Sequence, residues 1–243
     1  MTAPAPDFPA FVQAMAELHG RPEAAGAAVT FETGQFLYGL VRLIRPGLVV
    51  ELGTHRGVST LWLARGLQDG GRGRLLSFDL FERTEPGEAR RALLALGLAD
   101  RVEIHRAASS IGAVEIVRRR GASVDLLFVD ADHRVEATAA DVQSFWPSLA
   151  AGGHVLLHDI CPRASGWDGP RYVLDALKGA RLDPQSLTVI ELPTVEGWGL
   201  ALIQKTSART PRLIPWLAYG AYQWRTRFRF WLRSGRGDSK SAS

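Results

Sequence analysis

An acidic residue followed closely by two glycines stands at the end of an apolar run. The stretch VVELGTHRGVST places Glu51 ahead of Gly53 and Gly57. Glycine lets the backbone approach a ligand closely, and a helix that starts after such a turn offers free N–H groups. A second acid, Asp79, ends the next apolar run, where an acid commonly holds ribose hydroxyls. The spacing predicts a site for a ligand that carries both an amine and a nucleoside.

A second group of carboxylates and imidazoles follows two later apolar runs. DLLFVDADH ends with Asp130, Asp132 and His133, and GGHVLLHDI contains His158 and Asp159. Because the carboxyl ends of adjacent parallel strands meet at one edge of a sheet, Asp130 and Asp159 are expected to face one cleft. Carboxylates that lie close together repel each other unless a cation lies between them. These residue types predict a site that holds a divalent ion or removes a proton from a substrate.

The elements that must position these residues alternate along the chain. Short apolar runs are separated by amphipathic segments, which is typical of a parallel sheet covered on both faces by helices. The predicted strands are 48–52, 75–78, 102–104, 126–129 and 155–157. The predicted helices lie near 59–68, 87–96, 111–119 and 135–149, and the charged side chains of the last are expected to face solvent. LTVIEL and GLALIQK, joined by PTVEGWG, predict a hairpin that adds an antiparallel strand to the end of the sheet.

The glycine turn differs from the G-x-G-x-x-G turn of dinucleotide-binding proteins, because its acid precedes the first glycine. ELGTHRG instead resembles the E/D-x-G-x-x-x-G motif of class I S-adenosylmethionine-dependent methyltransferases. FVDADH resembles the fourth-strand motif of their O-methyltransferase branch, which includes catechol and caffeoyl-type enzymes and relatives that modify macrolide sugars and cephalosporins. The resemblance spans roughly residues 30–205. It implies an α/β fold with a Rossmann-like, doubly wound, mostly parallel seven-stranded sheet and a terminal antiparallel hairpin strand.

The resemblance also implies S-adenosylmethionine as the cofactor and assigns residues to it. The glycine turn would hold the amino-acid end of the cofactor, the second-strand acid its ribose, and the residues after the third strand its adenine. The implied cofactor-binding residues are Glu51, Gly53, Thr54, Gly57, Ser59, Asp79, Ala108, Ser109 and Asp130.

The implied catalytic residues are Asp130, His133 and His158, with either histidine as the base. A divalent metal, Mg²⁺ or another, is implied at Asp130 and Asp159. His158 stands where many relatives carry an acid, and histidine is a poor ligand for Mg²⁺ although it suits Mn²⁺ or Fe²⁺. Metal dependence therefore stays open.

Composition limits the remaining function classes. Of the 243 residues, 46% are hydrophobic and 22% are charged, which is typical of a soluble globular protein. Cys161 is the only cysteine, so no internal disulfide can form and a reducing compartment is expected. The opening residues do not have the pattern of a secretory signal, and no apolar run is long enough for a spanning helix. We therefore expect a cytoplasmic protein.

The basic charge is concentrated near the C-terminal end. From Arg209 onward there are eight basic residues and one acidic residue, whereas the whole chain has a net charge of +4. The rest of the chain is thus slightly acidic, and we expect no nucleic-acid partner. In LIPWLAYGAYQWRTRFRFWLRSGRG, aromatic residues recur at helical spacing opposite arginines. This pattern predicts an amphipathic helix that makes peripheral membrane or homo-oligomer contacts.

We predict three regions: an N-terminal helix or arm at 1–29, a methyltransferase domain at 30–206, and a basic aromatic helix with a disordered tail at 207–243. The functional hypothesis is in-line methyl transfer from S-adenosylmethionine to a hydroxyl of a small metabolite or sugar, with metal- or base-assisted deprotonation. N-methylation stays open, because an amine needs little beyond deprotonation and alignment. The alternatives are a nicotinamide-dependent oxidoreductase, against which the acid-first turn argues, and a non-catalytic cofactor-binding scaffold, against which DADH and HD argue.

Overall fold

The computed structural model describes residues 5–20, 29–81, 86–161, 167–179, 187–194 and 197–206, together with Pro211, Leu213, Trp224 and Phe228. The chain divides into two compact units, Met1–Arg106 and Ala107–Ser243. Each unit carries one of the two residue groups that the sequence singles out.

The first unit contains three parallel strands. Its elements are α1 (Phe8–His19), α2 (Phe31–Ile44), β1 (Leu48–Leu52), α3 (Val58–Asp69), β2 (Arg74–Asp79), α4 (Pro86–Ala95) and β3 (Val102–Arg106). β1 pairs with β2 and β2 with β3, and Glu51 lies opposite Ser77 in the register of the first pair. Every residue of β1 is buried, as expected for a strand covered on both faces.

Helix α1 is part of the core of this unit. Its N-cap is Asp7, whose side chain accepts a hydrogen bond from the Ala10 N–H. Phe11 and Met15 are fully buried, and Phe11 packs edge-on against Trp62 of α3. The region predicted as an N-terminal arm therefore contributes apolar side chains to the same core as β1, and the boundary at residue 29 stays a prediction.

The second unit contains parallel and antiparallel pairs. Its elements are α5 (Val114–Arg119), β4 (Val124–Val129), α6 (Val135–Phe145), β5 (Leu149–His158), α7 (Gly169–Gly179), β6 (Leu187–Leu192) and β7 (Leu200–Lys205). β4 and β5 are parallel, whereas β7 is antiparallel to both β5 and β6. The predicted hairpin is thus confirmed.

The end of α6 differs from the prediction. The helix stops at Phe145, and a short 3₁₀ turn at Trp146–Ser148 leads into β5, which begins at Leu149. Pro147 has no N–H to continue the helical hydrogen bonds, so the helix predicted for 135–149 was too long and the strand too short. A shift in register between Val124 and Leu126 accommodates the extra residues of β5.

The described strands form one seven-stranded sheet in the order β3-β2-β1-β4-β5-β7-β6. The expected Rossmann-like, mostly parallel sheet with a terminal antiparallel hairpin is confirmed. The predicted C-terminal amphipathic helix lies outside the described residues, apart from Trp224 and Phe228. Among the described residues, no helix has the length and hydropathy needed to cross a membrane.

Candidate functional site

The glycine turn after β1 depends on two residues with left-handed backbone. Gly53 has φ 105° and Gly57 has φ 87°, values that favour glycine. A Cβ atom added to Gly57 would lie 2.6 Å from the Cβ of Ala89 in α4. The turn therefore brings the start of α3 against α4, and the left-handed backbone of both glycines predicted for the cofactor disfavours a side chain.

The carboxylate of Glu51 is enclosed by hydroxyl groups. The residue is fully buried, and its oxygens accept hydrogen bonds from Ser59 Oγ (2.5 Å), Thr60 Oγ1 (2.6 Å) and Ser77 Oγ (2.6 Å). Thr54, also buried, pairs its hydroxyl with that of Ser77 at 2.5 Å. Glu51 therefore stabilises the turn by accepting these hydrogen bonds, and the hydroxyl proton of Ser59 is donated to Glu51.

Asp79 connects the turn to the loop that follows β2. Its Oδ2 accepts from the backbone N–H of His55 at 2.7 Å, and its Oδ1 accepts from that of Phe81 at 2.6 Å. His55 and Phe81 have φ 47° and 51°, a strained region for residues other than glycine. The second-strand acid thus holds both loops in shape, and each oxygen keeps a lone pair for a further donor.

In the second unit, the structure brings Asp130, His133, His158 and Asp159 into one cluster. His133 Nε2 lies 2.8 Å from Asp159 Oδ2 and 3.5 Å from Asp130 Oδ1. His158 Nδ1 lies 3.2 Å from Asp130 Oδ1 and 3.0 Å from Asp159 Oδ1. One nitrogen of each ring therefore contacts both carboxylates, as the predicted convergence of the β4 and β5 ends requires.

The cluster is buried enough for its charges to act strongly on one another. Burial alone would lower the pKa of both histidines, but the two carboxylates outweigh it and raise the pKa of His133 to about 9 and that of His158 to about 10. Burial alone would raise the pKa of both acids, but the imidazolium charges hold the pKa of Asp130 and Asp159 below the usual range. Without an ion, the cluster is a neutral set of two imidazolium and two carboxylate groups near pH 7.

Backbone contacts fix the loops that carry the cluster. The Gly169 N–H at the start of α7 donates to the His133 carbonyl at 2.8 Å, and a Cβ atom at Gly169 would lie 2.4 Å from that oxygen. Trp167 stacks on the His133 ring with centroids 5.5 Å apart. Asp159 has φ 60°. The backbone N–H groups of the next two residues, Ile160 and Cys161, donate to carbonyls of the β6–β7 connection. Strained residues of this kind often occur at functional sites.

The predicted adenine contacts, Ala108 and Ser109, lie at the start of a π-helical turn in the second unit. Ser109 donates its hydroxyl proton to Asp141 Oδ1 at 2.5 Å. Asp141 is fully buried in α6, so the expectation that the charges of this helix face solvent is wrong for this residue. Burial raises the pKa of Asp141 to about 8, although the Ser109 hydroxyl lowers it.

The four residues of the cluster fit a metal ion. Each offers one ligand atom, and these atoms all lie within 4.8 Å of one another. His133 Nδ1, His133 Nε2 and Asp159 Oδ1 are buried and make no hydrogen bond to any described residue. Asp130 and Asp159 as metal ligands stay a prediction, and the structure places the nitrogens of His133 and His158 beside their carboxylates.

Three further residues have positions that were not predicted. Ser77 and Thr60 complete the hydroxyl set around Glu51, and Asp141 receives Ser109. Ser77 is a polar residue inside the apolar run of β2, opposite Glu51. That polar residue was the signal in the sequence, whereas Asp141 gives no such signal because an acid in an amphipathic helix usually faces solvent.

The sheet order, the acid-first glycine turn and the acid after β2 together define a Rossmann-like methyltransferase. A family model described as a methyltransferase domain matches residues 50–160. A catechol O-methyltransferase from Mycobacterium tuberculosis is 31% identical over 211 residues, which cover 82% of this chain and 90% of the relative. The chain belongs to the S-adenosylmethionine-dependent O-methyltransferase family.

Solved structures agree with this assignment. The O-methyltransferase TomG from Streptomyces achromogenes, in complex with S-adenosylmethionine, has a TM-score of 0.65 and 25% identity, covering 81% of this chain and 90% of its own. A methyltransferase from Geobacter sulfurreducens has a TM-score of 0.61 and 26% identity, covering 83% and 92%. The protein is therefore an enzyme that uses S-adenosylmethionine on a small-molecule substrate, and the oxidoreductase and scaffold alternatives find no support.

Proposed function

We propose that the protein methylates a hydroxyl of a small vicinal dihydroxy aromatic, a catechol. The observation that carries this proposal is the cluster of Asp130, His133, His158 and Asp159, which combines carboxylate and imidazole groups suited to a hydroxyl that must lose its proton. The relative with 31% identity over most of the chain is a catechol O-methyltransferase. A small hydroxylated metabolite or sugar of another kind is the broader class.

The roles of the cofactor residues are part of this proposal. Gly53 and Gly57 give the amino-acid end of S-adenosylmethionine close access to the backbone, and Asp79 accepts from the ribose hydroxyls. Glu51 acts indirectly, because its carboxylate is buried and holds Ser59 and the rest of the turn in place. Thr54 supports the turn through Ser77, and Ala108 and Ser109 are assigned to the adenine.

The chemistry that remains is removal of the acceptor proton, because the sulfonium leaving group is already activated. In the absence of an ion, His133 or His158 takes this proton after losing its own, and Asp130 and Asp159 orient the two rings and hold the acceptor hydroxyl. A divalent ion held by the same four residues would lower the pKa of a hydroxyl bound to it. With pKa values near 9 and 10, neither histidine is a free base at neutral pH in the absence of an ion.

The test measures S-adenosylhomocysteine formation with catechol, phenol and an aromatic amine as acceptors, with and without added divalent ions. We expect catechol to react at least about tenfold faster than phenol. Asp159→Ala should lower kcat by about 10²-fold or more, which is the usual size of an acid–base contribution. Asp132→Asn is the matched control, because Asp132 pairs with Arg134 outside the cluster. Turnover of the amine alone would make the enzyme an N-methyltransferase.

We also propose that the tail at 207–243 attaches the enzyme to an anionic membrane surface. Leu213 is buried and hydrogen-bonded to Gln143 and Tyr172, so the chain after β7 is docked at this point on the second unit. Further along, the rings of Trp224 and Phe228 stack and are 66% and 47% exposed. Exposed aromatic rings in an arginine-rich segment suit the lipid headgroup region.

Vesicle flotation tests this attachment. The protein should float with anionic vesicles at low salt, and the double substitution Trp224→Ala, Phe228→Ala should reduce the bound fraction several-fold while leaving methyl transfer intact. If the double variant loses its oligomeric state and the unchanged protein ignores vesicles, these residues form a subunit contact.

A further inference from the structure

The cluster of Asp130, His133, His158 and Asp159 has a donor set that is unusual for a magnesium site. Mg²⁺ prefers oxygen ligands and keeps several waters, and it is usually held by one or two carboxylates. Here two imidazole nitrogens stand beside two carboxylates, with all four ligand atoms within 4.8 Å of one another. Mixed imidazole and carboxylate sets suit Mn²⁺, Fe²⁺, Co²⁺ or Zn²⁺.

The orientation of His133 points to a bound ion. Its Nε2 lies 2.8 Å from Asp159 Oδ2 and 3.5 Å from Asp130 Oδ1, so one nitrogen faces both carboxylates. The ring is held by stacking against Trp167 and not by a hydrogen bond from Nδ1, which is unsatisfied among the described residues. A nitrogen that converges with two carboxylates, on a ring held by stacking, is placed as a ligand atom would be.

The spacing of the donor atoms agrees with a shared ion. Bonds of about 2.1 Å from one metal separate neighbouring ligand atoms by about 3.0 Å in an octahedral site and about 3.4 Å in a tetrahedral one. The nitrogen–oxygen distances in the cluster are 2.8, 3.0, 3.2 and 3.5 Å. Asp159 Oδ1, which makes no hydrogen bond to a described residue, completes the set of buried acceptors.

We propose that Asp130, His133, His158 and Asp159 form a nitrogen–oxygen site for a divalent transition ion, with His133 as a ligand, and that Mg²⁺ is a poor occupant. The inference rests on the proposed function, because an ion here serves to deprotonate the acceptor hydroxyl. It goes further by fixing the class of metal and the identity of two ligands.

The experiment titrates the full-length, chelator-treated protein separately with Mn²⁺, Co²⁺ and Mg²⁺ by calorimetry, and follows Co²⁺ by its visible absorption. We expect Mn²⁺ and Co²⁺ to bind at least about tenfold tighter than Mg²⁺. His133→Ala should weaken Co²⁺ binding at least about tenfold and change the visible spectrum. Glu136→Gln, at an exposed acid in the first turn of α6, should bind Co²⁺ as the unchanged protein does.

Binding of S-adenosylmethionine is measured in the same samples, because it reports the integrity of the enzyme independently of the metal. Equal affinity for Mg²⁺ and Mn²⁺, or unchanged Co²⁺ binding in His133→Ala, would overturn the inference. Full methyl transfer in excess chelator would also overturn it while leaving the proposed function in place. Tight Mn²⁺ binding without methylation of any hydroxyl would instead defeat the proposed function and leave the metal site standing.

Discussion

Glu51 shows how a single buried carboxylate can organise the turn after β1 through hydroxyl donors. Its oxygens receive the hydroxyl protons of Ser59, Thr60 and Ser77, and none of its surface is exposed. The sequence placed this acid among the cofactor-binding residues, and that role stays a prediction. The motif indicated the right turn, but it contained no information on which donors would surround the acid.

Replacing Glu51 by glutamine tests this arrangement. The new NH₂ group is a donor and would face hydroxyl donors, so at least one buried group loses its hydrogen bond. We expect Glu51→Gln to lower the free energy of unfolding by roughly 1–3 kcal/mol, measured by urea denaturation. Glu88→Gln is the control, because Glu88 is half exposed and its ion pair with Arg56, at 3.9 Å, is long and contributes little. Equal stability of both variants would contradict the enclosed role of Glu51.

Asp141 makes the stability of the protein depend on pH. Its pKa is raised to about 8 in the folded protein, whereas an unfolded aspartate titrates near about 3.9. Between these values the folded state binds more protons than the unfolded state, so stability falls as pH rises, by at most about 1.4 kcal/mol per pH unit. The contribution is fully present below pH about 4 and is lost by pH about 8.

Asp141→Asn removes this titration. Urea unfolding should show that the variant gains stability relative to the unchanged protein as pH rises from about 5 to about 8. Asp175→Asn, at an exposed position of α7, is the matched control and should follow the unchanged protein. Parallel stability curves for Asp141→Asn and the unchanged protein would show that the buried carboxyl is not protonated in the fold.

At the scale of elements, the junction of β1 and α3 depends on Gly57 for two separate reasons. Its φ of 87° is strained for other residues, and a Cβ atom would lie 2.6 Å from Ala89. Gly71 has a similar φ of 69°, but nothing lies within 4 Å of its Cβ position. The pair therefore separates backbone strain from the close approach of α4.

Gly71→Ala should cost only the backbone strain, about 1–2 kcal/mol. Gly57→Ala should cost more and should also weaken S-adenosylmethionine binding at least several-fold, because α3 must move away from α4. Calorimetric titration and urea denaturation of both variants measure the two effects. Equal losses in both variants would mean that contact with Ala89 is unimportant.

The elements themselves were largely predictable from the sequence, and the details of the site were not. Runs such as 48–52 and 126–129 are apolar at almost every position, which fixes a strand buried on both faces. The meeting of Asp130 and Asp159 followed from parallel topology. The contact of His133 with Asp159 depends on the left-handed backbone of Asp159, with φ 60°, and on Gly169 beside the His133 carbonyl. Neither feature produces a periodic pattern of apolar residues in the sequence.

At the scale of the whole molecule, Arg65 joins the N-terminal helix to the rest of its unit. Arg65 is 4% exposed, and its guanidinium donates to the Pro6 carbonyl and to Asp69 and lies over the rings of Phe8 and Phe11. Removing Arg65 leaves the Pro6 carbonyl without this donor and takes away the cation that lies over two rings, whereas Asp69 keeps its hydrogen bond from the Tyr38 hydroxyl. We expect Arg65→Ala to lower the free energy of unfolding by roughly 1–3 kcal/mol and to make α1 more sensitive to protease.

Arg74→Ala is the control for this prediction. Arg74 has a side chain that is 61% exposed and lies 3.8 Å from Glu103, so its loss should cost less than about 1 kcal/mol. If both variants unfold at the same urea concentration, α1 is held by its apolar side chains alone.

The position of β7 between β5 and β6 has a consequence for synthesis on the ribosome. β2 pairs with β1 and with β3, which both lie before residue 107, whereas β5 pairs on one side with β7, which begins about forty residues after β5 ends. Until Leu200–Lys205 has left the ribosome, the apolar VLLH edge of β5 has unpaired backbone groups, the kind of edge that promotes aggregation. We therefore expect the nascent chain to need chaperones until the last strand has been synthesised. A rare-codon pause before β7 should lower the yield of folded enzyme more than the same pause after β7.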